Sequence, residues 1–394
     1  MQMVLACKVL PPAAPELKRV APASSREEGF AANKISQDEI LIVPLYAGNR
    51  RTPENRMSRL KKLIDVQSHA IFDFRAEPTS EKWLSTPHDL PAWSMDGALE
   101  QMDKHEIAAA VISSPNAAND LAGQAGRDMS RRVNEAIAEM MVKHPTRFGG
   151  MATLPGSDID GCLKEMEYAL DVLKLDGVAT STSINDVYLG EDMYDPWFEE
   201  MNRRGVTLFI HPTILSSFPD TSLGLYPSVF EFMFDTTRML ANMVITGKKK
   251  RFSRMNMITT HAGGVMPFLV ERFQARVTTY GTGKGREKIP EEEVRQVLAS
   301  FYYDLTSSTS NTQLFGLMEL VPISQLLMGL DMPFAPDRSI GKAIDRVSNY
   351  SRFTDADLDM IAHGNAARLY PQLAKKLGIE PSPSLQGLKG EQVS

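Results

Sequence analysis

From residue 62 onward, short apolar runs of strand length alternate with longer segments of helical periodicity, and this rhythm constrains the fold more than any other feature of the 394-residue chain. The strand candidates are Lys62–Val66, Ala108–Ser113, Phe148–Leu154, Gly177–Thr180, Val206–His211, Met255–Thr260, Phe301–Thr306 and Leu326–Leu330. Helical patterns cover Ser94–Lys104, Arg127–Lys143, Asp158–Leu173, Asp195–Arg204, Phe230–Thr246, Met266–Thr279, Asn311–Val321 and Thr354–Tyr370. Strands separated by helices need parallel crossovers, and eight such units predict a closed (β/α)8 TIM barrel of the α/β class. The competing architecture is an open doubly wound sheet. No glycine-rich phosphate fingerprint follows the first strand, which argues against it.

The flanks read differently. Residues 1–56 are rich in Ala, Pro, Ser and charge, with Ile40–Val43 the one possible short strand, and are read as an arm. Barrel patterning spans 57–378, so Met57 is an alternative start, and 379–394 reads as a frayed tail. No run of about 18 apolar residues predicts a spanning helix. The apolar patch at the N-terminus lacks a basic lead-in and is broken by Pro11 and Pro12, so a secretory signal is not expected. Two cysteines, Cys7 and Cys162, are too few for a disulfide framework and point to a reducing, cytoplasmic setting. With 43 basic and 49 acidic residues the net charge is -6, which gives no reason to expect nucleic acid or another polyanion as partner. The dense basic run Lys248–Arg251 reads as a solvated helix end or loop.

In such a barrel the working residues lie at the C-terminal ends of the strands. Three of the seven histidines fall there: His69 after strand one, His211 at the end of strand five and His261 at the end of strand six. Asp331 follows strand eight. Imidazoles with a carboxylate suit a divalent ion, zinc or manganese, with a position left open for water or substrate. Residues two apart on a strand share a face, so Gln67 and His69 can both look at the barrel axis if strand one persists that far. His88, His105, His144 and His363 read as structural.

These motifs resemble the amidohydrolase superfamily. The resemblance rests on the pair after strand one, His211-Pro212, His261-Ala262-Gly263-Gly264, Gly329-Leu330-Asp331-Met332-Pro333-Phe334 and Gly364-Asn365-Ala366-Ala367-Arg368-Leu369, and runs from about Leu63 to Leu373. More narrowly, the chain is similar to the branch containing aminocarboxymuconate-semialdehyde decarboxylase and the 6-methylsalicylate and γ-resorcylate decarboxylases. The resemblance implies a metal held by Gln67, His69, His211 and Asp331, with His261 as the acid/base. Gln67 departs from the family's usual His or Glu, and a neutral amide oxygen predicts weaker metal binding, a different ion or a reaction that does without one.

The implied activity is non-oxidative decarboxylation of a small aromatic or unsaturated carboxylic acid. Arg272 and Arg75 are the candidate cations for that acid, and Phe334, Phe232, Phe218, Trp83 and Trp93 the candidate ring walls. Arg272 holds the position of an arginine that in this branch reaches a neighbouring subunit's substrate, so a homodimer or higher homo-oligomer is implied. Two alternatives stay open: metal-assisted hydrolysis or hydration with Asp331 as base, and a non-catalytic ligand-binding relic.

Overall fold

The computed structural model describes residues 59–73, 91–114, 118, 121, 123–156, 158–217, 223–282 and 287–383. The arm, Arg75, Trp83, His88, Phe218 and the tail beyond 383 lie outside them. Eight parallel strands follow one another around a barrel in chain order: β1 Leu63–His69, β2 Ile107–Ser113, β3 Phe148–Thr153, β4 Gly177–Ser181, β5 Thr207–His211, β6 Asn256–Thr259, β7 Tyr302–Asp304 and β8 Leu326–Leu327. The expected TIM barrel is borne out.

Alternation along the strands separates two apolar layers. Ile64, Val66, Ala109, Val111, Met151, Ala179, Phe209, Ile258 and Leu327 form an inner cluster. Leu63, Ala110, Ile112, Phe148, Val178, Leu208 and Met257 join a second cluster with residues of the surrounding helices. The inner cluster also takes in Ala366, Leu373 and Ala374 from the C-terminal helices Asn365–Leu369 and Pro371–Leu377, and Tyr370 between them. These helices close the barrel floor, and the Thr207 hydroxyl donates to the Leu369 carbonyl at 3.2 Å. The chain stays anchored beyond the floor: Arg368 donates to the carbonyls of Ser382 and Pro383, and Ser382 Oγ to Asn365. Residues 382 and 383 of the segment read as a tail are thus held against the floor.

Closure happens between β1 and the segment after β8. Val66 N donates to Met328 O at 2.9 Å, Asp331 N to Gln67 O at 2.8 Å and His69 N to Met332 O at 2.7 Å. This seam explains why β8 pairs with β7 over only two residues, where Leu326–Leu330 was expected: from Met328 on, the chain turns its hydrogen bonds to β1.

Four further expectations need adjusting. Strand one runs on to His69 rather than ending at Val66. Two additional helices, Glu291–Ala299 and Asp337–Ser348, pack on the barrel; the second buries Ile340, Ile344 and Val347 at helical spacing behind Pro336. The last helical run contains a wider turn at Met360–Gly364. The basic run forms a single turn in which Lys248 and Lys249 are buried, not solvated, because Asp195 at the start of the helix Asp195–Arg204 draws Lys248 inward.

Candidate active site

His69 and Gln67 reach the cavity through an irregularity in β1. Ile64 and Val66 belong to the inner cluster, so strict alternation would put Ser68 inside and turn Gln67 and His69 out. The ladder slips instead: Asp65 pairs with Ala110 but Ser68 with Ile112, leaving one extra residue in β1. Asp65 holds the bulge, accepting from Gln67 N at 3.0 Å and Ser68 Oγ at 2.5 Å, and its Oδ1 also takes Leu330 N at 2.9 Å across the seam. Burial pushes this carboxyl up to about 7.

At the barrel mouth His69, His211 and Asp331 offer ligand atoms that all lie within 4.8 Å of one another. His69 Nε2 stands 3.2 Å from Asp331 Oδ1, and its Nδ1 is 3.1 Å from Ser113 Oγ. His211 Nδ1 sits 2.8 Å from the Pro212 carbonyl, which fixes the proton on Nδ1 and leaves Nε2 as a lone-pair donor. The two imidazoles meet edge to face at 5.0 Å between centroids, and His261 lies 6.0 Å from His211. Phe334 packs against His69 at 5.6 Å and Phe232 against His211 at 5.8 Å, giving the site apolar walls.

The charge states favour a bound cation. Burial, reinforced by His69 and His261, pulls His211 down to about 3, keeping it neutral. Burial likewise lowers His261 to about 4, with Asp331 opposing the shift and His69 adding to it. Burial works against ionisation of Asp331, but the hydrogen bond from His69 and the neighbouring imidazoles outweigh it and hold the carboxyl below its usual range. The lone pair of a neutral His211 and a negative Asp331 oxygen thus converge on one point.

His261 is held in a strained backbone. Its φ is +54° and that of Ala262 +55°, a region L-residues enter at a cost of about 1–3 kcal/mol. Asp304, at the end of β7, accepts from His261 N at 3.0 Å and so secures this conformation. Gly264 follows at φ +66°, where a Cβ would stand 2.0 Å from the Met233 carbonyl oxygen; this is a physical reason for the glycine in the motif.

The two ends of the Gln67 amide are told apart by their partners. One end lies 2.7 and 3.1 Å from the Asp304 carboxylate oxygens and 2.9 Å from Thr306 Oγ1, so it is the NH2 that donates there. The carbonyl oxygen then faces Asp331 Oδ1 at 3.5 Å. Two oxygens looking at each other repel unless a cation lies between them. The buried imidazole nitrogen His261 Nδ1 also lacks a hydrogen-bond partner. The residues present therefore fit a divalent ion held by His69, His211, Asp331 and the Gln67 oxygen, with His261 beside it.

A model of the amidohydrolase family (Amidohydro_2) matches residues 64–372. The chain belongs to the amidohydrolase family. Among its relatives, the decarboxylase macB of Penicillium terrestre is 29% identical over 330 residues, covering 78% of this chain and 95% of its own. The 6-methylsalicylic acid decarboxylase of Penicillium expansum is 25% identical over 291 residues, covering 72% and 88%. A dihydroxybenzoic acid decarboxylase from a Polaromonas species, solved with bound manganese and the inhibitor 2-nitroresorcinol, superposes with a TM-score of 0.66 at 22% identity, covering 79% of this chain and 97% of its own. The family resemblance read from the motifs is borne out.

Of the residues singled out in the sequence, Gln67, His69, His211, His261, Asp331, Phe232 and Phe334 come together at this amidohydrolase site. Arg272 does not join them within one chain: it is exposed on the helix Met266–Tyr280. Trp93 packs on Phe72 at 5.6 Å and lines a cavity of about 380 Å³ beside β1 and β2 that also touches His69. His105, His144 and His363 are structural, against Asp337, Phe148 and the Lys61 carbonyl. Sequence reasoning missed Asp65, Ser113 and Asp304. A carboxylate inside a strand candidate was the available signal for both aspartates.

Proposed function

We propose that this protein is a non-oxidative decarboxylase of a small aromatic or unsaturated carboxylic acid, with His261 as the proton carrier. The observation that carries the reading is the buried, unpartnered His261 Nδ1 beside the His69, His211 and Asp331 cluster. The decarboxylase relatives support it. A divalent ion at Gln67, His69, His211 and Asp331, zinc or manganese by ligand type, would orient the substrate's carboxylate and stabilise negative charge.

The chain's own residues supply the rest. An anionic substrate beside His261, added to the charge of Asp331, favours the protonated imidazole that burial alone resists. That proton passes to the ring carbon bearing the carboxylate. The carbon–carboxylate bond then breaks, its electron pair restores the ring, and carbon dioxide leaves. Phe334 and Phe232 wall the flat ring and exclude water. Arg272 shares a helix face with Phe268, four residues earlier and 90% exposed, and this exposed apolar surface supports a homo-oligomer in which Arg272 serves a second copy's substrate.

The test is turnover of a panel of hydroxybenzoic acids in deuterium oxide. One deuterium should enter the ring where the carboxylate was, with no oxygen-18 from labelled water in the aromatic product. His261→Asn should lower kcat by roughly 10²–10⁴-fold. Incorporation of water oxygen would favour hydrolysis or hydration, and an unimpaired His261→Asn would remove His261 from the reaction.

A further inference from the structure

Gln67, already a neutral ligand, would be weaker still if its amide were free to turn. An amide presents either an oxygen, which binds cations, or an NH2, which repels them, and nothing intrinsic to glutamine selects between the two. Here the choice is made by Asp304. Its Oδ1 is occupied by two backbone donors, His261 N and Thr306 N, each at 3.0 Å. Its Oδ2 takes the Gln67 amide at 2.7 Å, and the Thr306 hydroxyl also bonds the carboxylate. An ionised carboxylate offers only acceptors and accommodates the NH2 end and not the oxygen.

We propose, resting on the metal-dependent reading above, that Asp304 is a positioning residue that locks the Gln67 amide with its oxygen toward His69, His211 and Asp331. The Gln67–Asp304 pair then supplies the oxygen ligand that a lone glutamine would supply only part of the time. It biases the cluster toward an ion that accepts oxygen donors, such as manganese.

Asp304→Asn tests this with little change of shape. The new side chain must keep its carbonyl toward the two backbone N–H groups, so its NH2 takes the place of Oδ2. That NH2 accommodates only the oxygen end of Gln67, and the amide inverts. Titration of metal-free protein with Mn²⁺ alone, followed by loss of the free-ion paramagnetic resonance signal, should show affinity about 10- to 100-fold below wild type. Gln67→Leu should fall similarly, and Asp304→Asn added to it should change little further. Gln67→Glu in the Asp304→Asn background should recover the affinity, because a carboxylate can accept from the newly introduced NH2 with one oxygen and face the ion with the other; recovery also shows that the Asp304→Asn substitution leaves the barrel folded. Wild-type Mn²⁺ affinity in folded Asp304→Asn overturns the proposal, as does a wild type that takes up no Mn²⁺. The decarboxylase reading is judged apart from this, by turnover of the aromatic acids, and can stand or fall without it.

Discussion

Lys249 has lost nearly all contact with water without gaining a carboxylate among the described residues. It is 5% exposed, its Nζ is 3.5 Å from the Met255 carbonyl oxygen, and the Phe301 ring lies beneath it at 5.4 Å. Burial pulls its ammonium from 10.5 down to about 8. A lysine whose folded value is depressed is a cost to folding that is complete below the folded value and vanishes as pH rises past the unfolded one. The gap of roughly 2.5 pH units corresponds to about 3 kcal/mol at about 1.36 kcal/mol per unit. Lys249→Met keeps the aliphatic stem in the same apolar surroundings and removes the charge. Urea unfolding at pH 7 should show the variant more stable by about 3 kcal/mol, and the advantage should shrink from pH 8 upward until it is gone near pH 10.5. A variant no more stable than wild type at pH 7, or one whose advantage stays constant to pH 10.5, would refute the assignment of the cost to a buried charge.

Asn134 ties the helix Gly123–Lys143 to β3 by donating to the Thr153 carbonyl at 2.9 Å and accepting from Thr153 N at 2.7 Å, and it also donates to Glu165 at 2.8 Å. Asn134→Ala leaves the Thr153 amide buried and unpaired, and chemical denaturation should register a loss of about 2–4 kcal/mol. Phe334→Ala removes the edge contact on His69; KM for an aromatic acid should rise roughly 2- to 12-fold with kcat little changed, as steady-state kinetics would show.

Much of the barrel was legible because strands buried on both faces read as continuous apolar runs, and His211, His261 and Asp331 stand where such strands end. The helices escaped less evenly. Asp337–Ser348 carries a regular Ile340, Ile344, Val347 spacing behind a proline, so its signal was present. Two other features had no local signal. Whether Gln67 and His69 look inward depends on a one-residue slip against β2, which Asp65 stabilises through Leu330, 265 positions away in sequence. Lys248 and Lys249 look like a solvated charge run in any window of sequence, because Asp195, the partner that admits Lys248, lies 53 residues earlier. Asp304 was passed over because a carboxylate within a strand gives no indication that its partner is a glutamine on the opposite part of the chain.

The seam between β1 and the segment after β8 also assembles the ligand set. Gln67 and His69 stand on one bank and Asp331 on the other, joined by Asp331 N to Gln67 O and His69 N to Met332 O. Until the two ends of the barrel's strand sequence have met, these side chains stand apart, so a site built from them exists only in a chain whose circumference is whole.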